Sequence, residues 1–196
     1  MARFIPNDMP AFPHWARVAF AARCARSVLP LFDQYWPNAM PSRREALHTA
    51  IGLAEESAQK GEAAAELKKA VPACVITAGA ALRPTYKGFS IDEPVPADDH
   101  ASHIACHVAK SAEWAAQAAL EDPSESARAA LEAYIWSRDA AHLAEAVDVI
   151  TQLQDDFAGL WRVATRGRWS NHTAVPPRVF ELLKEDPPEK PWWPPW

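Results

Sequence analysis

From Trp15 onward the apolar residues recur at Trp15, Val18, Ala22, Ala25, Leu29, Phe32 and Trp36. The steps alternate between three and four, which keeps all seven on one stripe of a helix. Phe20, Cys24, Val28, Leu31 and Tyr35 make a second stripe beside it, so this first helix is predicted to be central. Pro30 removes a backbone donor inside the helix and predicts a kink, and Pro37 ends it. Ser42 and Glu45 form a capping-box pattern for a second helix, whose seam Leu47, Ile51, Ala54, Ala58 stops at Gly61. A third helix is expected from about Glu62 to Leu82, with a second proline kink at Pro72 and a stop at Pro84.

The prolines and glycine at Pro84, Gly88, Pro94 and Pro96 predict an irregular connection over 84–97. Asp98 or Asp99 caps a fourth helix that reaches Leu120. Asp122 as N-cap with Pro123 in the first helical position opens a fifth. Its periodicity runs to about Thr165, too long for one average helix, so a break is expected near Ser137–Asp139. Leu143, Val147, Ile150, Leu153, Phe157, Leu160 and Trp161 are the expected core face beyond that break. The predicted fold is all-α, a bundle of five to six helices with two proline-kinked members. It fills residues 1–168. Residues 169–196 form a separate tail with one short helical piece at Val179–Lys184 and a Pro/Trp-rich end suited to polyproline II.

Composition sharpens this picture. Alanine dominates the apolar share, favouring helix and close helix approach, and only six glycines occur in 196 residues, too few for a hairpin-rich fold. The formal charge of −5 gives no general electrostatic reason to bind nucleic acid. Charge is segregated: six arginines face Asp8 and Asp33 in residues 1–44, whereas nine acids face Arg128 and Arg138 in residues 121–156. Attraction between those segments inside one bundle accounts for the asymmetry without an outside partner. Cys24, Cys74 and Cys106 are odd in number and sit among small apolar residues, which reads as buried free thiols. With no signal-like amino terminus and no apolar run of spanning length, a cytoplasmic location and no membrane contact are expected.

Two features could carry function. Asp99, His103 and His107 lie four apart on the fourth helix, so two imidazoles and a carboxylate share a strip that could bind a transition metal ion. Completing such a site needs another helix, and Glu45 with His48, or Asp139 with His142, has the acid-x-x-His spacing of carboxylate metal bundles. The opposing reading is that these histidines only pack and hydrogen-bond, with no cofactor. The second feature is the end of the chain, where Trp192, Trp193 and Trp196 follow a proline-stiffened segment. Tryptophan on a stiff backbone suits docking in a protein partner's groove, or in a groove of its own bundle. No Gly-x-Ser-x-Gly, phosphate-binding loop or dinucleotide fingerprint occurs, and an enzyme is the less favoured reading.

Two stretches carry a resemblance. They are Ala21-Ala-Arg-Cys24-Ala-Arg-Ser-Val-Leu-Pro30-Leu-Phe-Asp with Arg43-Arg-Glu-Ala-Leu-His48-Thr-Ala-Ile51, and Ala101-Ser-His103-Ile-Ala-Cys-His107-Val-Ala. Together they resemble an alanine-rich, all-helical family assigned an immunity role in bacterial polymorphic toxin systems. The resemblance covers about a third of the chain and leaves out the loop at 84–97 and the Pro/Trp tail. It implies a helical protein that neutralises or scaffolds a protein partner by binding, without catalysis, and it assigns no individual functional residue.

Overall fold

The computed structural model describes residues 6–82 and 96–182. The Pro/Trp end, with Trp192, Trp193 and Trp196, and residues 84–95 of the expected irregular connection lie outside the described residues. Among the described residues every regular element is a helix, with no strand. A 3₁₀ turn, Pro6–Ala11, precedes α1 (His14–Tyr35), α2 (Pro41–Lys60), α3 (Leu67–Ala81), α4 (Asp99–Leu120), α5 (Ser126–Leu143), α6 (Val147–Arg166) and the short α7 (Pro177–Leu182).

Helices α1 and α4 form the middle of the bundle. α1 packs on α2, α4, α5 and α6, and α4 packs on α1, α2, α3 and α5. Both stripes expected of α1 are buried, including Val18, Phe20, Cys24, Val28 and Phe32, except that Tyr35 at its end is half-buried. α4 reaches its neighbours with a nearly all-alanine surface: Ala105, Ala109, Ala112, Ala115, Ala116 and Ala119 are buried around Ile104 and Val108. Such small side chains let helix axes approach toward the short end of the usual range, which excludes voids without large residues. Bulk comes from the flank instead. Phe12 stacks on Trp161 and meets Phe157, each at 5.2 Å between ring centroids, and Phe20 meets Phe157 edge-on at 5.2 Å. This aromatic set joins the 3₁₀ turn, α1 and α6.

Local caps set three of the helix ends. Asp98 accepts a hydrogen bond from the Ala101 N–H at 2.8 Å and opens α4. Gly61, at φ 70°, closes α2 in the left-handed conformation, and the Ser57 carbonyl accepts from Gly61 and Glu62. Asp122 Oδ1 accepts from the Ser124 and Glu125 N–H groups, as an N-cap should, and the regular α5 begins at Ser126.

Several local expectations change. The Ser42–Glu45 capping box does not form: Pro41, with its preset φ, starts α2 one residue earlier, and no side chain caps that end. α3 starts at Leu67, five residues after Glu62, because Ser57 Oγ holds the Ala64 N–H at 3.0 Å and shapes 62–66 into a turn. The break after α5 falls at Ala144–Ala146 rather than Ser137–Asp139. Ser137 is fully buried and bonded to Ser111 Oγ at 2.6 Å, which holds the helix intact there. Glu145 takes φ 54°, and the Ala146 N–H returns to the Ala141 carbonyl at 2.9 Å, closing a Schellman motif on a non-glycine residue. Val147, expected in the core, is 69% exposed in the first turn of α6. Beyond residue 168, Val175, Val179 and Phe180 are buried in the core, and the Val175 N–H donates to the Ala58 carbonyl at 2.8 Å.

Candidate functional site

The histidine strip on α4 comes only partly together. His103 and His107 stand edge to face with ring centroids 6.4 Å apart, and His103 is exposed. His107 turns toward α5 and meets the Trp136 indole at 4.8 Å. Its Nδ1 and the Trp136 Nε1 are buried with no hydrogen-bond partner among the described residues. Burial is the main force lowering the His107 pKa, with His103 adding to it and Asp139 opposing. Asp99 is exposed one turn before His103, and His100 leans on Tyr35 at 6.1 Å. Glu45 and His48 are exposed on α2, and His142 is exposed at the end of α5, where Asp139 is paired with Arg138. Among the described residues, no three His, Cys, Asp or Glu side chains are grouped so that they could hold a metal ion.

The thiols are chemically quiet. Cys24 is wholly buried and held protonated well above the usual thiol range by that burial, with Asp156 reinforcing it. Burial pushes Cys74 up to about 12 and Cys106 up to about 11. None supplies thiolate at neutral pH.

Two buried polar clusters escape a reading of hydrophobic periodicity. In the first, His14 Nδ1 and Arg17 Nη1 each lie 2.9 Å from Ser126 Oγ. Arg17 also donates to the carbonyls of Pro10, Phe12 and Pro123, and Asn171 Oδ1 accepts from the His14 backbone N–H. The combination of serine and histidine invites a nucleophile reading, but the geometry opposes it. Ser126 is fully buried and its oxygen already accepts from Arg17, so a substrate carbonyl has no approach to it. Burial, foremost, and the Arg17 charge push the His14 pKa down to about 4, against the pull of Asp122. The cluster ties the start of α1 to the 3₁₀ turn, the α4–α5 connection and the 169–173 loop.

The second cluster is an ion pair. Arg23 Nε and Nη2 donate to the two Asp156 carboxylate oxygens at 3.1 and 3.2 Å, and Gln152 adds a third bond at 2.7 Å. It locks α1 to α6. The sequence held one signal for it: Arg23 sits between Ala22 and Cys24 on a helix that is apolar on two faces, and Asp156 lies between the core residues Leu153 and Phe157.

The remaining candidate is a surface. α3 buries Leu67, Ala70, Cys74, Thr77, Ala78 and Ala81 against α2 and α4. Its outer side is also uncharged from Ala70 to Leu82. Val75 is 44% and Ile76 54% exposed, Pro72 and Gly79 are exposed on the same stripe, and a Cβ added at Gly79 would meet nothing within 4 Å. Positions 72, 75, 76 and 79 share one helix face. Lys68 and Lys69 stand exposed at its start. Among the described residues, no helix is long and apolar enough to cross a membrane.

Comparison of the chain with family models, with curated proteins and with solved structures gives no match.

Proposed function

We propose that this chain is a helical binding protein that engages a protein partner through the outer face of α3 and performs no catalysis. The observation that carries this reading is the adjacent exposure of Val75 and Ile76 on a helix that presents no charge for its last three turns. An isolated exposed apolar residue is ordinary, but a helix that is apolar on both sides is usually covered on both. The polar clusters inside the bundle are saturated by their own bonds and serve to fix helices. The sequence resemblance to a partner-neutralising family points the same way.

The chemistry of the face selects the partner. Pro72, Val75, Ile76 and Gly79 offer an aliphatic strip with a shallow dip at Gly79, suited to an apolar or aromatic segment. Replacing Ile76 by Glu places a charge where contact would be closest and leaves the core untouched. Proteins recovered from native lysate by the wild-type chain and by Ile76→Glu should therefore differ by the loss of one specific species. Far-UV circular dichroism checks that the variant is folded. Recovery of the same species by both chains would remove α3 as the binding face.

A further inference from the structure

We propose that the His107–Trp136 contact is a proton-sensitive latch on the α4–α5 seam, closed over a neutral imidazole and opened when that imidazole takes up a proton. The latch is a property of α4 and α5 and is independent of the outer face of α3.

The first ground is hydrogen-bond chemistry. The two rings meet edge to face with centroids 4.8 Å apart. His107 Nδ1 and Trp136 Nε1 are both buried, and neither has a hydrogen-bond partner among the described residues. An indole nitrogen can only donate. A neutral imidazole can carry its single hydrogen on Nε2 and leave Nδ1 as a bare lone pair, so the closed contact encloses no unmet charge. An imidazolium has a hydrogen on both nitrogens. Its Nδ1–H would be a charged donor enclosed beside a second donor, with no acceptor in reach, which is among the costliest ways to bury a polar group.

The second ground is the surrounding charge. On the same helix the His103 ring lies 6.4 Å from His107 and opposes a second positive charge. On α5, Asp139 favours the proton, but its Oδ1 already accepts two bonds from Arg138, at 2.8 and 3.0 Å. Burial is the largest influence of the three, and the imidazole is held below its ordinary pKa. The proton therefore arrives on the acid side of neutrality, where histidine switches act.

The third ground is that the seam is pinned beside the latch. One turn along α4, Ser111 Oγ lies 2.6 Å from Ser137 Oγ and 3.1 Å from the Ala133 carbonyl. These bonds hold the two helices together next to Trp136, which is itself only half-buried. Opening is then confined to side chains: the indole turns outward and α4 and α5 stay paired. Acid adds an aromatic side chain to a surface that at neutral pH keeps it folded in.

The test is nuclear magnetic resonance on the full-length chain with labelled histidine and tryptophan, titrated from about pH 8 to about 4.5 across the imidazole range. The His107 and Trp136 signals are identified by their loss in His107→Gln and Trp136→Ala. The His107 midpoint should lie below about 6.5, and the Trp136 indole N–H should shift with the same midpoint. In His107→Gln that indole should hold its position throughout. Trp136→Ala should move the His107 midpoint up toward about 6.5, and Asp139→Asn should move it further down. An indole that ignores pH in the wild-type chain, or that still titrates in His107→Gln, overturns the proposal. So does a His107 midpoint that falls in Trp136→Ala, since the indole face would then be holding the imidazolium by cation–π attraction. If Trp136→Ala does not fold, the wild-type and His107→Gln titrations decide the matter alone.

Discussion

Replacing Arg23 by Met should cost about 3–5 kcal/mol at neutral pH, although methionine is of similar length and better suited to an apolar site. The reason lies in what is left behind. Asp156 is 1% exposed, and its carboxylate is held by two guanidinium bonds and one from Gln152. Burial already raises its pKa, and Arg23 and Gln152 only partly offset this. Without the guanidinium, the carboxyl either stays charged in a dry site or takes up a proton. In both cases the native state is penalised relative to an unfolded chain in which Asp156 titrates near 3.9.

That mechanism fixes the direction of the pH dependence. A carboxyl whose folded pKa is raised costs stability in full above that pKa, and the cost shrinks as pH falls below it and is gone below the unfolded value near 3.9. The deficit of Arg23→Met relative to wild type should therefore shrink as pH is lowered from 8 to 5. The double variant Arg23→Met with Asp156→Leu removes both charges and should recover to wild-type stability or exceed it by about 1–4 kcal/mol. Urea unfolding followed by far-UV circular dichroism at pH 8, 7, 6 and 5 measures all three chains. A single-variant deficit under about 1 kcal/mol, or one that is flat with pH, would refute the account, because the carboxylate would then be solvated or otherwise satisfied.

Three further outcomes follow from the geometry. Glu145 holds a left-handed φ of 54° at the end of α5, so Glu145→Gly should stabilise the protein by about 1 kcal/mol, read as a higher urea midpoint at unchanged slope. His14 titrates near 6.5 unfolded but is pushed down to about 4 in the fold, so stability complete above pH 6.5 is lost as pH falls toward 4. The loss should be about 2 kcal/mol and absent from His14→Gln; parallel pH profiles for the two chains would count against it. Ala112, fully buried on α4, has no room for a larger side chain, and Ala112→Leu should cost about 1–3 kcal/mol in the same unfolding assay. A variant as stable as wild type would show that the alanine-lined contact is looser than the burial implies.

How much of this was legible beforehand depended on which residues carried the signal. α1 was readable because Phe20, Val28, Leu29 and Phe32 mark its buried faces with bulky side chains that have no place at the surface. Gly61 and Asp98 were readable because each acts on its own backbone, where spacing along the chain is the whole of the physics. The capping pattern at Ser42 misled because Pro41 begins the helix first, and the α5 break was misplaced because Ser137 is held by Ser111 from another helix. Neither cause lies within the local window. The histidine spacing on α4 brought His103 and His107 to one face but carried no information about α2 or α5, which leave His48 and His142 exposed.

The same reasoning explains why alanine hides direction and why α3 matters. Alanine is accepted on either face of a helix, so a segment such as α6 is oriented by its few large residues, and there the pattern named Val147 while the fold chose Asp156. On α6 the true inward side needed a partner, Arg23, that sits more than a hundred residues away. α3 poses the reverse problem. Its inward side is settled by Leu67, Cys74 and Ala78, and it then spends Val75 and Ile76 on an outward side where polar residues would serve solubility better. Most other exposed helical positions among the described residues carry charged or polar side chains, so the α3 strip stands apart from them. A covering partner would offset the cost of exposing the strip, which is why the proposed binding face is placed on α3.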